Sequence, residues 1–279
     1  MAIRTVLTVV GLEKGDKDLR LAAQMCEEIQ AHLSVLVLGI AAPLPVTDPY
    51  TATIADVWLE QRRDDLRQID VRTAQVSAFL AASAVSADVV SEYAESGWAD
   101  DAAGRRARYA DITLLGPETL ASGDVRDKAI EGTLFASGKP LLVVPPGPVP
   151  SLRPKRVLVA WNSSIEASRA VRESLDMLVG AESVRIVLVD PVEGETRHGA
   201  EPGADIGAFL ARHGVKVTVE RLPGGGHPVA EVLRRHAVDV AADMLVMGGY
   251  GHSRLHERIF GGVTRSMLEK PSLPVLFAH

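Results

Sequence analysis

The sequence predicts an α/β protein made of two doubly wound parallel-sheet domains, and three observations carry that expectation. Short apolar runs alternate with amphipathic helical stretches, the order that right-handed crossovers turn into a parallel sheet covered on both faces. The same landmarks occur twice, in the same order. Apolar residues are mainly Ala, Val and Leu, and aromatics are only 4%, which suits helices packed on buried strands better than a β-sandwich.

The landmarks divide the chain. Arg4–Val10 and Arg156–Trp161 are apolar runs, each followed by a polar loop and an amphipathic stretch. Ala110-Asp111 and Ala242-Asp243 each precede four mostly apolar residues and a glycine, Gly116 or Gly248. Lys139-Pro140-Leu141-Leu142-Val143 parallels Leu273-Pro274-Val275-Leu276-Phe277. Between the copies lies Pro145-Pro146-Gly147-Pro148-Val149-Pro150, a linker that fits neither a helix nor a central strand. We therefore expect domains at 1–146 and 153–279. The 279 residues agree, since a domain usually takes about 100–200.

In the first half, strands are expected at Ile3–Val10, Leu33–Ile40, Asp88–Glu92, Ile112–Leu115 and Leu141–Val144, with a long helix or two between Ile54 and Leu80. In the second half, Arg156–Trp161 reads as a buried strand. Ala167, Ala170, Val171, Ser174, Leu175 and Leu178 mark one helical face. Val184–Val189 is the next strand, Ile206–Arg212 a short helix and Lys216–Leu222 a third strand. Val229, Val232, Leu233 and Ala237 mark a helix opened by Pro228, which suits a first turn. Met244–Met247, a helix over Ile259–Leu268 and a strand over Val275–Ala278 complete the unit.

Composition excludes several classes. The net charge of −6 argues against broad attraction to nucleic acid or an anionic membrane. Cys26 is the single cysteine, so there is no disulfide framework and no thiolate zinc site. The apolar run in MAIRTVLTVV is too short for a signal peptide or a span, and a cytoplasmic location is expected. His252 and His256 are four apart, but no third ligand accompanies them, and no metal site is predicted. A Walker loop, a dinucleotide fingerprint after the first strand and a nucleophile elbow are all lacking.

Ligands of open α/β sheets bind beyond the C-terminal strand ends, where strand order reverses. There the Met244–Met247 strand runs into Gly248-Gly249-Tyr250-Gly251-His252-Ser253, and Gly261-Gly262-Val263-Thr264 precedes the next helix. Gly248, two residues, Gly251, nine residues, Gly261 is a spacing that lets main-chain amides and a helix N-terminus approach a phosphate. A purely structural turn is the competing reading.

Gly-x2-Gly-x9-Gly after L-V-M-G and before V-T resembles the ATP-binding signature of universal stress proteins. The likeness covers nearly all of the second half and, more loosely, the first. It implies the adenine-nucleotide α-hydrolase-like fold in tandem, with ATP, ADP or AMP as ligand and Mg²⁺ as an optional companion. It places Ala160 and Asn162 at the first strand end, Val189 against the base, and Met247 and Gly248 beside the nucleotide. Gly251, His252 and Ser253 would wrap the phosphates, with Gly261, Gly262, Val263 and Thr264 completing the cradle. The family usually carries an acid at the position of Asn162, and Ser or Thr at that of Gly262.

The corresponding loop of the first half is Gly116-Pro117-Glu118-Thr119. Pro117 lacks an N–H, and Glu118 and Asp124 would repel phosphate, so this half is expected to be degenerate. The resemblance thus implies a nucleotide-binding stress-response module with its site in the C-terminal domain. It also implies an intramolecular pseudo-dimer, with the homodimer left open. A weak ATP hydrolase and a nucleotide-independent scaffold are the alternatives.

Overall fold

The computed structural model describes residues 3–13, 15–43, 52–191, 201–250 and 262–279, with side chains from residue 56 onward in the segment that opens at 52. The chain is mixed α/β and falls into two compact units, Ile3–Lys139 and Pro140–His279.

In the first unit the order is β1 Thr5–Val10, α1 Asp16–Ile29, β2 His32–Ala41, α2 Ala52–Ala81, β3 Ala87–Glu95, α3 Ala99–Ala107, β4 Ile112–Leu115, α4 Pro117–Leu120, α5 Gly123–Glu131 and a π-helical segment Gly132–Ser137. The strands lie in the order β3-β2-β1-β4. All three pairings are parallel, and Val6 stands between Leu33 and Ile112. Chain direction therefore reverses its march across the sheet between β1 and β4, which defines the switch point. Where the sequence allowed one helix or two, α2 is a single helix. Its spaced side chains Ile69, Arg72, Val76 and Leu80 are buried, three or four residues apart as one helical stripe requires.

In the second unit the order is β5 Leu141–Val143, β6 Arg156–Ala160, α6 Ile165–Glu173, α7 Leu175–Gly180, β7 Ser183–Val189, α8 Ala204–Arg212, β8 Val217–Leu222, α9 Val229–Asp239, β9 Met244–Gly248, α10 Gly262–Glu269 and β10 Val275–Ala278. Its strands lie β5-β10-β9-β6-β7-β8. All neighbours run parallel except β5 and β10, which pair antiparallel with Val275 opposite Val143. The expected single helical face from Ala167 to Leu178 is split into α6 and α7. Ser174 is the cause: its buried hydroxyl donates to the Ala170 carbonyl at 2.7 Å, and such back-bonding bends or ends a helix. The expected helix over Ile259–Leu268 begins at Gly262, and its first three residues lie outside the described set.

The repeated Ala-Asp landmark has a structural cause. Asp111 Oδ2 accepts from the amides of Arg4 and Thr5 at 2.7 and 2.9 Å. Asp243 Oδ2 accepts from those of Lys155 and Arg156 at 3.0 and 2.8 Å. One carboxylate pins the start of β1 to that of β4, and another the start of the Arg156 strand to that of the Met244 strand, satisfying amides at a sheet end.

Among the described residues no helix is long and apolar enough to cross a membrane. Cys26 is fully buried on α1, and desolvation pushes its thiol up to about 12. At pH 8 only roughly one such thiol in ten thousand is thiolate. We expect no alkylation of the native protein by iodoacetamide, and modification of Cys26 once urea unfolds the chain. Labelling of the native protein at the rate of free cysteine would contradict this burial.

Candidate functional site

The C-terminal ends of β6, β7 and β9 bring together several residues singled out above. Ala160 is in register with Met247 on one side and Val187 on the other. Since β6 lies between β7 and β9, these ends form the switch point of the second unit. Trp161 continues the strand by donating to the Val187 carbonyl at 2.9 Å. Asn162 turns its Oδ1 onto the Ser164 amide at 3.2 Å, an Asx-type turn that starts α6. Ser164 then caps the helix, its hydroxyl accepting from the Ala167 amide at 3.1 Å.

Gly248 is explained by this cap. A Cβ there would stand 2.5 Å from the Ala167 nitrogen and 2.7 Å from the Glu166 carbonyl carbon. The end of β9 thus rests directly on the first turn of α6, and only glycine fits. Beyond it, Gly249 donates to the Ala278 carbonyl at 2.8 Å, and His279 Nδ1 lies 3.1 Å from the Gly249 oxygen. Tyr250, at φ 63°, directs its amide to the Thr264 hydroxyl at 3.4 Å. Thr264 is buried at the start of α10, and that contact ties the loop to the helix. Gly262 is exposed, and no atom lies within 4 Å of where its Cβ would be. Gly251, His252, Ser253 and Gly261 lie outside the described residues, as does the His252–His256 pair.

Two groups at this mouth escaped the sequence reading. Asp190 follows β7 directly, at φ 45°, and its Oδ1 accepts from the Gly224 amide at 2.8 Å. A carboxylate therefore sits at the end of β7, one residue past Val189, while the end of β6 carries Asn162. Its signal was an acid placed between an apolar strand and Pro191. The other is the place of Ala167, expected on a helical face and found with its main-chain nitrogen against Gly248.

The first unit shows what its equivalent position can hold. The expected loop at Gly116 is the start of α4, with Pro117 at the first helical position, where a missing N–H costs nothing. Asp18 reaches it from α1. Its Oδ1 accepts from the Glu118 amide at 3.1 Å and its Oδ2 from the Thr119 amide at 2.7 Å. Glu118 in turn accepts, through Oε2, from the amides of Gly15 and Lys17 at 3.1 and 2.9 Å. Asp18 is fully buried, and a Cβ on Gly116 would lie 2.3 Å from its Oδ1. Burial pushes the Asp18 carboxyl above its ordinary value, outweighing the Thr119 and Glu118 hydrogen bonds that pull it down. The amides that could meet a phosphate here are thus taken by the chain's own carboxylates. The sequence hinted at this through an acid on the buried face of α1, beside Leu19 and Ala22.

Residues 154–279 match the model of the universal stress protein family. No curated protein matches the chain. Among solved structures, a universal stress protein from Archaeoglobus fulgidus DSM 4304 matches with a TM-score of 0.63 and 15% identity, over 98% of this chain and 95% of that one. A Pseudomonas aeruginosa UCBPP-PA14 protein, provisionally assigned to the same family, matches with a TM-score of 0.50 and 15% identity, over 99% and 93%. At these identities the likeness is one of fold.

Proposed function

Residues 154–279 belong to the universal stress protein family, and from that premise we propose that this half is an adenine-nucleotide-binding module whose occupancy serves signalling rather than turnover. The ligand is ATP, ADP or AMP, with Mg²⁺ where phosphates require it. It lies over Ala160, Asn162, Val189, Met247 and Gly248, with Gly251, His252, Ser253 and Gly261 to Thr264 around its phosphates. One observation carries the reading. Gly116 and Gly248 occupy matching positions, each pressed on the first helix of its unit, but the first meets the Asp18 carboxylate and the second meets the main chain of Ala167 and Glu166. Where one half places a carboxylate against its glycine, the other places the main chain of Glu166 and Ala167, and the N-terminus of α10 favours a bound anion there. Asp190 stands at the base and sugar end, on the strand beside the one that carries Asn162.

Gly262 gives the test, because a side chain there meets nothing. Gly262→Asp should fold as the parent does and bind ATP at least about tenfold more weakly by calorimetric titration, since a carboxylate then opposes the phosphates. Gly262→Ser restores the hydroxyl usual in the family and should tighten binding by about three- to tenfold, the value of one added hydrogen bond. Equal ATP affinity in the parent and Gly262→Asp would overturn the placement. No heat with ATP, ADP or AMP would leave the nucleotide-independent scaffold as the reading.

A further inference from the structure

The first unit keeps a cavity of about 530 Å³ at the C-terminal ends of β1 and β2, beside α4. That is ample for a small organic ligand, and it lies at the switch point where open sheets bind ligands. Its accessible apolar floor comes from Ile40 and Val125. Glu13, Asp65, Glu118 and Asp124 bring four carboxylates to its wall, and no Lys, Arg or His is among its described lining residues. Lys17 comes only within 3.9 Å of the Glu118 Oε1 and is largely exposed. Asp65 is held in place by Gln61 and Tyr93, each donating at 2.8 Å.

Two further facts narrow the ligand. The amides of Glu118 and Thr119 are already satisfied by Asp18, so an anion finds no donor cluster there. Among the described residues no three His, Cys, Asp or Glu side chains converge closely enough to hold a metal ion, which favours separate ammonium groups over one metal ion. We propose that this cavity binds an extended organic cation, an aliphatic di- or polyamine. Its ammonium groups meet separate carboxylates while its methylenes lie on Ile40 and Val125. An ammonium offers three donors to acceptor-only carboxylates, and an alkyl chain gains by covering the apolar floor. The inference does not rest on nucleotide binding in the other half.

The test is calorimetric titration of the full chain with spermidine at physiological salt, followed by ATP. The expected result is one spermidine per chain. Glu13→Gln with Asp124→Asn, both exposed positions, should weaken it about tenfold and leave the ATP titration unchanged. Glu173→Gln with Asp239→Asn removes the same charge from exposed sites of the other half and should leave spermidine affinity unaltered. Absence of spermidine binding would overturn the proposal. So would equal losses in the two double variants, which would mark a response to net charge alone.

Discussion

Gly248→Ala is expected to destabilise the C-terminal unit by about 3 kcal/mol, the upper end for overpacking, and to lower its melting temperature by about 10 °C. The reason is the identity of what the new methyl meets. Its neighbours at 2.5 and 2.7 Å are main-chain atoms of Ala167 and Glu166, which cannot rotate aside as a side-chain end can. The turn they belong to is fixed by the Ser164 cap. Relief therefore requires β9 or α6 to move, and β9 is paired on both edges, to β6 and β10. Gly249→Ala is the control. Its Cβ would sit 3.6 Å from Phe277, an ordinary contact, and should cost far less. Thermal unfolding followed by circular dichroism measures both, and equal melting temperatures for Gly248→Ala and the parent would refute the close approach.

Asp18→Ala should cost the N-terminal unit about 3 kcal/mol, because it strands two amides together. Each buried donor left without a partner costs about 1–3 kcal/mol, and Thr119 is 2% exposed. The pH dependence has a definite sign. Burial holds the folded Asp18 carboxyl above its unfolded value of 3.8, so the folded chain binds that proton more tightly than the unfolded chain does. The stability linked to this proton is fully present below the unfolded value and is lost as pH rises through the folded one. The difference between parent and Asp18→Ala should therefore be larger at pH 4 than at pH 7. Urea unfolding at the two pH values measures it, and a difference that grows with pH would contradict the dominance of burial.

Local patterns were read well where a buried strand or a repeated landmark left little freedom. The strands over Ile112–Leu115 and Val275–Ala278 appear at those bounds because each is buried throughout and, Thr113 apart, apolar. The helix break at Ser174 escaped because apolar spacing continues through it, while the cause is a hydroxyl bonding its own backbone. Asp18 escaped for a different reason: its partners at 118 and 119 are a hundred residues away, and no local pattern announces such a contact. Gly248 was legible as a required glycine, for ligand approach or for a structural turn, and the contact with α6 already demands it. Asp190 was hidden by the family comparison itself, which directed attention to the strand end held by Asn162.

One half fills its anion position with Asp18, and we propose that the other leaves it to a nucleotide. Native mass spectrometry of the intact chain titrated with ATP tests this most directly. One ATP per chain is the expected result, weakened at least about tenfold in Gly262→Asp and retained in Glu13→Gln with Asp124→Asn. Two ATP per chain would contradict the occupation of the first half by its own carboxylates, and none would contradict the nucleotide site in the second.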